Sequence, residues 1–229
     1  LLAHAASEHA GLRAAALRAL GGLAVPEALP VLLALLVSLP VDTRPDAERA
    51  IVDAVRRWGP SEDLAAHLTA AYAKQRKPEH RAALLRVLGG TRCPGTLALV
   101  CKTARRGRKD LRLEAVAALG RLRAEAAIPL LVQNLMFEPH PPFGADGFRD
   151  FPCAVALARI GGAAAGALVA AMAGDDDALC LMYPGLYHMD GRELAMERLR
   201  LSAAGEADGT RARRLRAAVE LMRTCNPPI

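Results

Sequence analysis

Aromatic residues and long apolar runs are both scarce in this 229-residue chain. Only 3% of the residues are Phe, Trp or Tyr, and no stretch is rich in the β-branched and aromatic residues that favour strands. The longest apolar run, 28–37, contains Pro30 and is about half the ~20 residues that a membrane-spanning helix needs. We therefore expect neither a β-sheet nor a membrane segment. Ala and Leu supply most of the apolar residues, and because both favour helices they predict an all-α protein.

Residue patterns that bind metals or carry out catalysis are missing as well. The five cysteines form no CxxC pair and no metal-ligand spacing, so we expect no metal, no cofactor and a reducing, cytoplasmic location. The sequence contains no P-loop, no HExxH string, no nucleophile elbow and no GxGxxG in a strand–helix context. The chain starts at Leu1 instead of Met, as a chain with a trimmed or omitted N-terminal segment would. These absences predict a protein that is not an enzyme and has no catalytic residue.

A glycine that closes an apolar helical stretch recurs five times. Each follows a large apolar residue, which itself lies three residues after an aliphatic one; these marker glycines are Gly21, Gly59, Gly89, Gly120 and Gly161. Trp58 occupies the large apolar position of the second copy, where we expect it to pack in the core. Copies in one register predict stacked helical hairpins rather than a closed globule. We expect each marker glycine to end the first helix of its unit in a left-handed conformation.

The first and fourth units are also alike beyond the glycine. Pro30 and Pro129 both follow their glycine by nine residues and suit the first turn of a helix, where the missing N–H has no partner anyway. Apolar residues at offsets 8, 11, 12 and 15 from the glycine form one stripe along that helix. Each unit is therefore predicted to consist of a helix, a tight turn and a second helix.

This pattern resembles the HEAT-like repeats of the bilin-lyase type, which are short bacterial relatives of HEAT and armadillo repeats. The resemblance covers roughly residues 10–172 and implies a right-handed α-solenoid. We expect a single domain over 1–229 with about six HEAT-like helical hairpins, and a C-terminal capping helix over 210–223. The predicted repeats are 3–37, 46–73, 79–104, 110–136, 148–173 and 177–204. Pro184 and Gly185 are expected to break the first helix of the last repeat.

Positive charge is concentrated between residues 73 and 113, where twelve Lys and Arg accompany only two acidic residues. This stretch has a net charge of +10, against +6 for the whole chain. Its densest part is predicted to be the loop between the third and fourth units, and Lys74, Arg76 and Lys77 lie in the preceding inter-repeat loop, on the same edge of the stack. Such an edge suits an acidic protein surface or phosphates, although a solvated loop with cations at helix ends is the simpler explanation. From the denser loop we select the partner-binding candidates Lys102, Arg105, Arg106, Arg108 and Lys109.

All four phenylalanines of the chain lie within residues 137–151, in an insertion after the fourth unit. A long loop with its own apolar side chains usually packs back on its scaffold, while the alternative is an aromatic anchor presented to a partner. From this loop we predict His140, Phe143 and Phe148 as partner-binding residues. His188 and Asp190 form a second cluster, for which a structural His–Asp pair is a simpler explanation than acid–base catalysis.

Together these patterns predict a non-catalytic scaffold or adaptor that binds a protein with an acidic surface. We expect the partner to occupy the concave groove formed by the second helices, together with the inter-repeat loops. Two alternatives stay open: a solenoid that binds nucleic acid through the basic stretch 74–109, and an accessory subunit of a lyase-type enzyme. No aromatic residue interleaves with the basic stretch, which argues against base stacking.

Overall fold

The protein, seen in a computed structural model, is described over residues 1–137 and 151–224, with side chains omitted at 177–181. Helices and short 3-10 turns build this part of the chain, and no strand occurs in it. The all-α prediction is therefore confirmed. The helices group into two compact units, residues 1–122 and 123–229. That the whole of 1–229 folds as one domain stays a prediction.

The first unit is a series of helical hairpins. Its helices are α1 (Leu2–Ala5), α2 (Ala10–Leu23), α3 (Leu29–Ser38), α4 (Arg44–Trp58), α5 (Glu62–Lys74), α6 (Pro78–Thr91), α7 (Leu97–Arg106) and α8 (Lys109–Leu122). The first helices of successive hairpins, α2, α4, α6 and α8, pack against one another in chain order, and the second helices α3, α5 and α7 lie beside them. Between the two rows lies a core of aliphatic side chains that includes Leu17, Leu36, Ile51, Leu68, Leu85 and Leu88.

The second unit continues the helical pattern over its described residues. Its helices are α9 (Ile128–Gln133), α10 (Pro152–Ile160), α11 (Gly162–Gly174), α12 (Asp176–Asp190), α13 (Arg192–Gly205) and α14 (Gly209–Thr224). Helix α14 packs on α11, α12 and α13. It buries Leu215, Ala218, Val219 and Met222 and leaves its other face exposed, which confirms the predicted capping helix.

Local sequence explains where the second helices begin. Pro30 and Pro129 occupy the first turn of α3 and α9, as predicted, because a helix start leaves its first N–H groups without partners. A 3-10 turn precedes each of these helices. Helix α5 has a side-chain cap instead, since the Ser61 hydroxyl accepts a hydrogen bond from the Leu64 N–H at 3.2 Å.

Three of the marker glycines do not end their helices, and the prediction of a left-handed cap is wrong for them. Gly21, Gly89 and Gly120 lie inside the last turn of α2, α6 and α8. The structural reason at two of them is close packing. A Cβ added to Gly89 would lie 2.7 Å from the Ala118 Cα on α8, and one added to Gly21 would lie 3.2 Å from the Ala50 Cα on α4. The repeated glycine thus lets neighbouring first helices approach each other closely.

Positive backbone φ angles occur at the other two markers and at two arginines. Gly59 and Gly161 end α4 and α10 with positive φ angles of 85° and 89°, as predicted, but their ψ angles of 162° and −150° lie outside the left-handed helical region. In the third and fourth repeats, the residue with positive φ comes three positions after the glycine, at Arg92 and Arg123, with φ of 54° and 52°. Helices α6 and α8 therefore continue for almost one turn beyond Gly89 and Gly120.

Helix α12 continues through Pro184 and Gly185, so the predicted break is wrong. Proline removes one backbone hydrogen bond from a helix interior and usually ends or kinks it. Here Met182 and Leu186, on either side, are fully buried, and α12 packs against α10, α11, α13 and α14. Burial in this position holds the segment helical despite the local preference.

Candidate interaction surfaces

The five basic residues selected from the sequence surround the end of α7 and the start of α8. Lys102, Arg105 and Arg106 lie on α7 itself, so the prediction of a loop over 102–109 is wrong for them. Only residues 107 and 108 connect the two helices, and Lys109 begins α8. The helix extends this far because its opposite face is buried, while cations in its last turn complement the negative end of the helix dipole.

A second group of cations lies beside the first. Helix α5 ends at Lys74, and Arg76 and Lys77 follow before α6. The hydroxyl oxygens of Tyr72 near the end of α5 and Thr103 near the end of α7 are 3.4 Å apart, and both side chains are buried. This contact brings the two helix ends together on one edge of the first unit. The basic edge is defined here as Lys74, Arg76, Lys77, Lys102, Arg105, Arg106, Arg108 and Lys109.

The cations of the basic edge are exposed to solvent. Within the described part of the chain, Arg108 alone among them lies within ion-pair distance of a carboxylate. Its Nε is 3.6 Å from Asp110 Oδ1, with the two side chains 73% and 51% exposed. Such an exposed pair contributes at most about 1 kcal/mol. The basic edge therefore carries uncompensated positive charge, which attracts anionic groups.

Other arginines of the basic stretch stabilise the fold instead. Arg81 Nε donates to the Gln75 carbonyl at 2.7 Å, and Arg112 Nε donates to the Ala104 carbonyl at 3.2 Å. Each bond ties the start of a first helix to the end of the preceding second helix. Arg13 makes an equivalent bond at the start of α2. This role was not predicted from the sequence, although all three arginines precede their marker glycine by eight residues.

Arg86 bridges three successive first helices and is likewise part of the scaffold. Its Nε and Nη2 donate to the Glu48 carboxylate of α4 at 2.8 to 3.0 Å, and its Nη1 donates to Glu114 Oε1 of α8 at 2.7 Å. Glu48 is only 9% exposed. The hydrogen bonds that Arg86 donates to Glu48 raise the pKa of Arg86 above its ordinary value. This cation and its two carboxylates therefore balance one another's charge within the fold.

The predicted aromatic anchors fall outside the described residues. His140, Phe143 and Phe148 all belong to the segment 138–150, so their partner-binding role stays a prediction. The two phenylalanines that flank this segment are described. Phe151 is 6% exposed and precedes α10, and Phe137 is partly buried. At least one of the four phenylalanines therefore packs on the scaffold.

The carboxylate near His188 is engaged elsewhere. Asp190 Oδ2 accepts a hydrogen bond from Arg198 Nε of α13 at 2.7 Å, and the Asp190 side chain is 8% exposed. The His188 ring packs edge-on against Tyr187, with centroids 5.8 Å apart. Asp190 thus joins α12 to α13 through Arg198, and the structural partner of this aspartate is an arginine rather than the expected histidine.

A groove runs between the second helices α3 and α5 of the first unit. Two open cavities of about 420 Å³ and 280 Å³ lie along it. Pro30 and His67 line both cavities, so the two adjoin each other along the groove. Small side chains form its walls, because α3 and α5 present Ala34, Ala70 and Ala71 to it. Its apolar floor includes the buried Leu33 and Leu84.

Trp58, expected in the core, lines this groove instead. The residue is partly exposed, its Nε1 donates to the Ala24 carbonyl at 2.9 Å, and it lines the larger cavity beside Pro30. Arg57 donates to the carbonyls of Gly21 and Ala24. Two adjacent side chains at the end of α4 thus hold the turn of the first hairpin, which draws the indole out of the core.

Two further properties bear on function. Among the described residues, no three or more His, Cys, Asp or Glu side chains are placed to bind a metal ion together. In the same part of the chain, no helix combines the length and the apolar character needed to cross a bilayer.

Two segments of the chain match family models of helical repeats. Residues 65–141 match HEAT repeats, and residues 12–38 match the PBS lyase HEAT-like repeat. The shorter match covers α2 and α3, the first hairpin, and the longer one begins in α5 and includes α6 to α9. Comparison with curated proteins finds no match to this chain.

Proposed function

The chain is a HEAT-like repeat protein, and we propose that it is a non-catalytic scaffold that binds an acidic protein partner through the basic edge. HEAT repeats generally serve as scaffolds for protein–protein interaction. The observation that carries the proposal is the presence of eight exposed cations on two adjacent helix ends, with one long ion pair among them. Carboxylates of a partner would supply the missing counter-charges.

Electrostatic attraction of this kind acts mainly on the rate and selectivity of association. Complementary charge patches raise the association rate and disfavour partners of the same sign. Salt screens such attraction, since the Debye length falls from ~10 Å at 0.1 M to ~3 Å at 1 M. The proposal therefore predicts an interaction that weakens with ionic strength but still includes direct contacts.

Nucleic acid is the second candidate, because the same cations suit phosphates. One observation weighs against it. Tyr72, whose hydroxyl contacts Thr103 at the basic edge, is only 7% exposed and lies under Arg81, 5.4 Å from the guanidinium carbon to the ring centroid. Proteins that bind single strands without sequence preference combine basic grooves with accessible aromatic rings, and the basic edge offers no such ring among the described residues.

A capture experiment tests the proposal and separates the two candidates. Tagged protein is incubated with lysate of its source, with and without nuclease, and washed at low and moderate salt. The variant replaces four cations of the basic edge by Gln, which is uncharged and has good helix propensity. These cations are Arg105, Arg106, Arg108 and Lys109. The matched control removes four exposed cations elsewhere, also by Gln: Arg18, Arg49, Arg213 and Arg216.

We expect the native protein and the control to retain a discrete protein after nuclease treatment, and the variant to lose most of it. Retention by all three proteins would contradict a role of the basic edge. Material that disappears with nuclease would replace the protein partner by nucleic acid.

A further inference from the structure

The groove between α3 and α5 has ends of opposite charge. Glu27 and Asp63 line the larger cavity at one end, together with Trp58. Lys74 lines the smaller cavity at the other end, where α5 meets the basic edge. Between them the lining is mainly proline, alanine, leucine and valine, with His67 in the middle. The groove therefore offers counter-charges for a cation at one end and for an anion at the other.

The width of the groove selects an extended occupant. Helices α3 and α5 are in contact, and contacting helices have axes about 8–10 Å apart. The groove is therefore a furrow on the surface where the two helices meet. An extended segment is narrower than a helix, which with its side chains is about 10–12 Å in diameter, so it would reach deeper into this furrow, with its small side chains against the alanines of the walls.

The length of the groove sets the spacing of the charges. Asp63 and Lys74 are eleven residues apart on α5, which corresponds to about 16 Å at a rise of ~1.5 Å per residue. An extended chain covers this distance in about five residues at ~3.3 Å each. A cation and an anion about five positions apart in such a segment would meet both ends at once.

We propose that this groove binds an extended segment of the protein partner, with a Lys or Arg in the Trp58 cavity, small apolar residues in the middle and an Asp or Glu at Lys74. The inference rests on the proposed scaffold function and names the segment that the scaffold recognises. An indole ring beside two carboxylates suits a cationic side chain, because the ring face and both carboxylates attract positive charge. The acidic end of the segment leads directly to the basic edge, where the rest of an acidic partner would lie.

Selection from a displayed library of random twelve-residue peptides on the immobilised protein tests this proposal. We expect the enriched peptides to share a basic and an acidic residue separated by about four to six positions. Trp58 is the single tryptophan of the chain and lines the proposed site, so synthetic Trp-free copies of these peptides should shift its fluorescence emission.

Two variants and one control locate the binding. Glu27→Gln combined with Asp63→Asn should weaken the peptides about tenfold, as expected for the loss of a charge-assisted contact. A new selection on this variant should no longer enrich the basic residue but still enrich the acidic one. Ala34→Met combined with Ala70→Met fills the groove and should abolish the fluorescence response. Ala73→Met, at an exposed position of α5 outside the groove lining, should leave it unchanged.

Failure of this inference is distinguishable from failure of the proposed function. Absence of enriched peptides, or equal binding to the native protein and the filled groove, would overturn the groove proposal and leave the capture experiment with the Gln variant of the basic edge unaffected. If peptides bind the groove but the cellular partner is retained equally by that Gln variant, the role of the basic edge fails and the groove proposal stands.

Discussion

Substitution of Gly89 by Ala should destabilise the first unit, because this residue sets the distance between α6 and α8. The added Cβ would lie 2.7 Å from Ala118 Cα and 2.8 Å from Ala118 Cβ, whereas carbon atoms attract best at about 3.5–4.0 Å. The helices must therefore separate by several tenths of an ångström. Overpacking of this kind lowers the free energy of unfolding by about 1–3 kcal/mol, and the better helix propensity of Ala offsets up to ~1 kcal/mol of this loss. We expect a net loss of about 1–2 kcal/mol in the free energy of unfolding.

Two other glycines in the same unit provide graded controls. A Cβ on Gly21 would meet Ala50 at 3.2 Å, and a Cβ on Gly22 would meet no atom within 4 Å. We therefore expect Gly21→Ala to cost less than Gly89→Ala, and Gly22→Ala to be neutral or to stabilise by up to ~1 kcal/mol. Urea unfolding at 25 °C, followed by circular dichroism at unchanged m-value, gives the comparison. Equal stability of the Gly89 and Gly22 variants would refute the close packing of α6 on α8.

Three further predictions concern charged groups of the scaffold. Arg86→Gln should lower the free energy of unfolding by roughly 2–3 kcal/mol, since it leaves two carboxylates without their cation, and Arg86→Lys should restore part of the loss; an unchanged urea midpoint would contradict the bridge. Burial, with Arg44 and Lys77 as further causes, lowers the pKa of His80 below 6.5. The unfolded chain therefore binds more protons at mildly acid pH, and the native protein should lose stability relative to His80→Gln as pH falls below about 6.5; a constant difference from pH 8 to 5 would exclude this coupling. Hydrogen bonds from Arg214 lower the pKa of Asp176 below 3.8. In Arg214→Gln, the pKa of this carboxyl, measured by NMR titration, should therefore rise back toward 3.8, and an unchanged pKa would contradict the pair.

The repeated hairpins were predictable from the sequence because apolar periodicity reports directly on buried helix faces. The structural role of the marker glycines could not be predicted in the same way, because a glycine suits both a left-handed helix end and a close helix contact. Only the position of Ala118 opposite Gly89 distinguishes the two. Helix α12 shows the same limit, since burial on several neighbouring helices outweighs the local preference of Pro184.

For the candidate surfaces, the sequence located the cations but not their partners. It placed Arg81 and Lys102 in one basic stretch, while the fold uses Arg81 to cap a helix end and leaves Lys102 exposed. This division depends on carbonyl groups that only the packed helices bring within reach. The groove was expected along the second helices, yet its lining by Trp58 follows from the bond to the Ala24 carbonyl, which no spacing in the sequence indicates.

The affinity of the captured partner for the native protein and for the Gln variant of the basic edge, measured at low and high salt, tests the central claim most directly. We expect the native protein to bind at least about tenfold more tightly at low salt, and this difference to disappear largely near 1 M salt, where charge is screened within ~3 Å. Equal affinities of the two proteins at low salt would contradict the basic edge as the surface that recognises the partner.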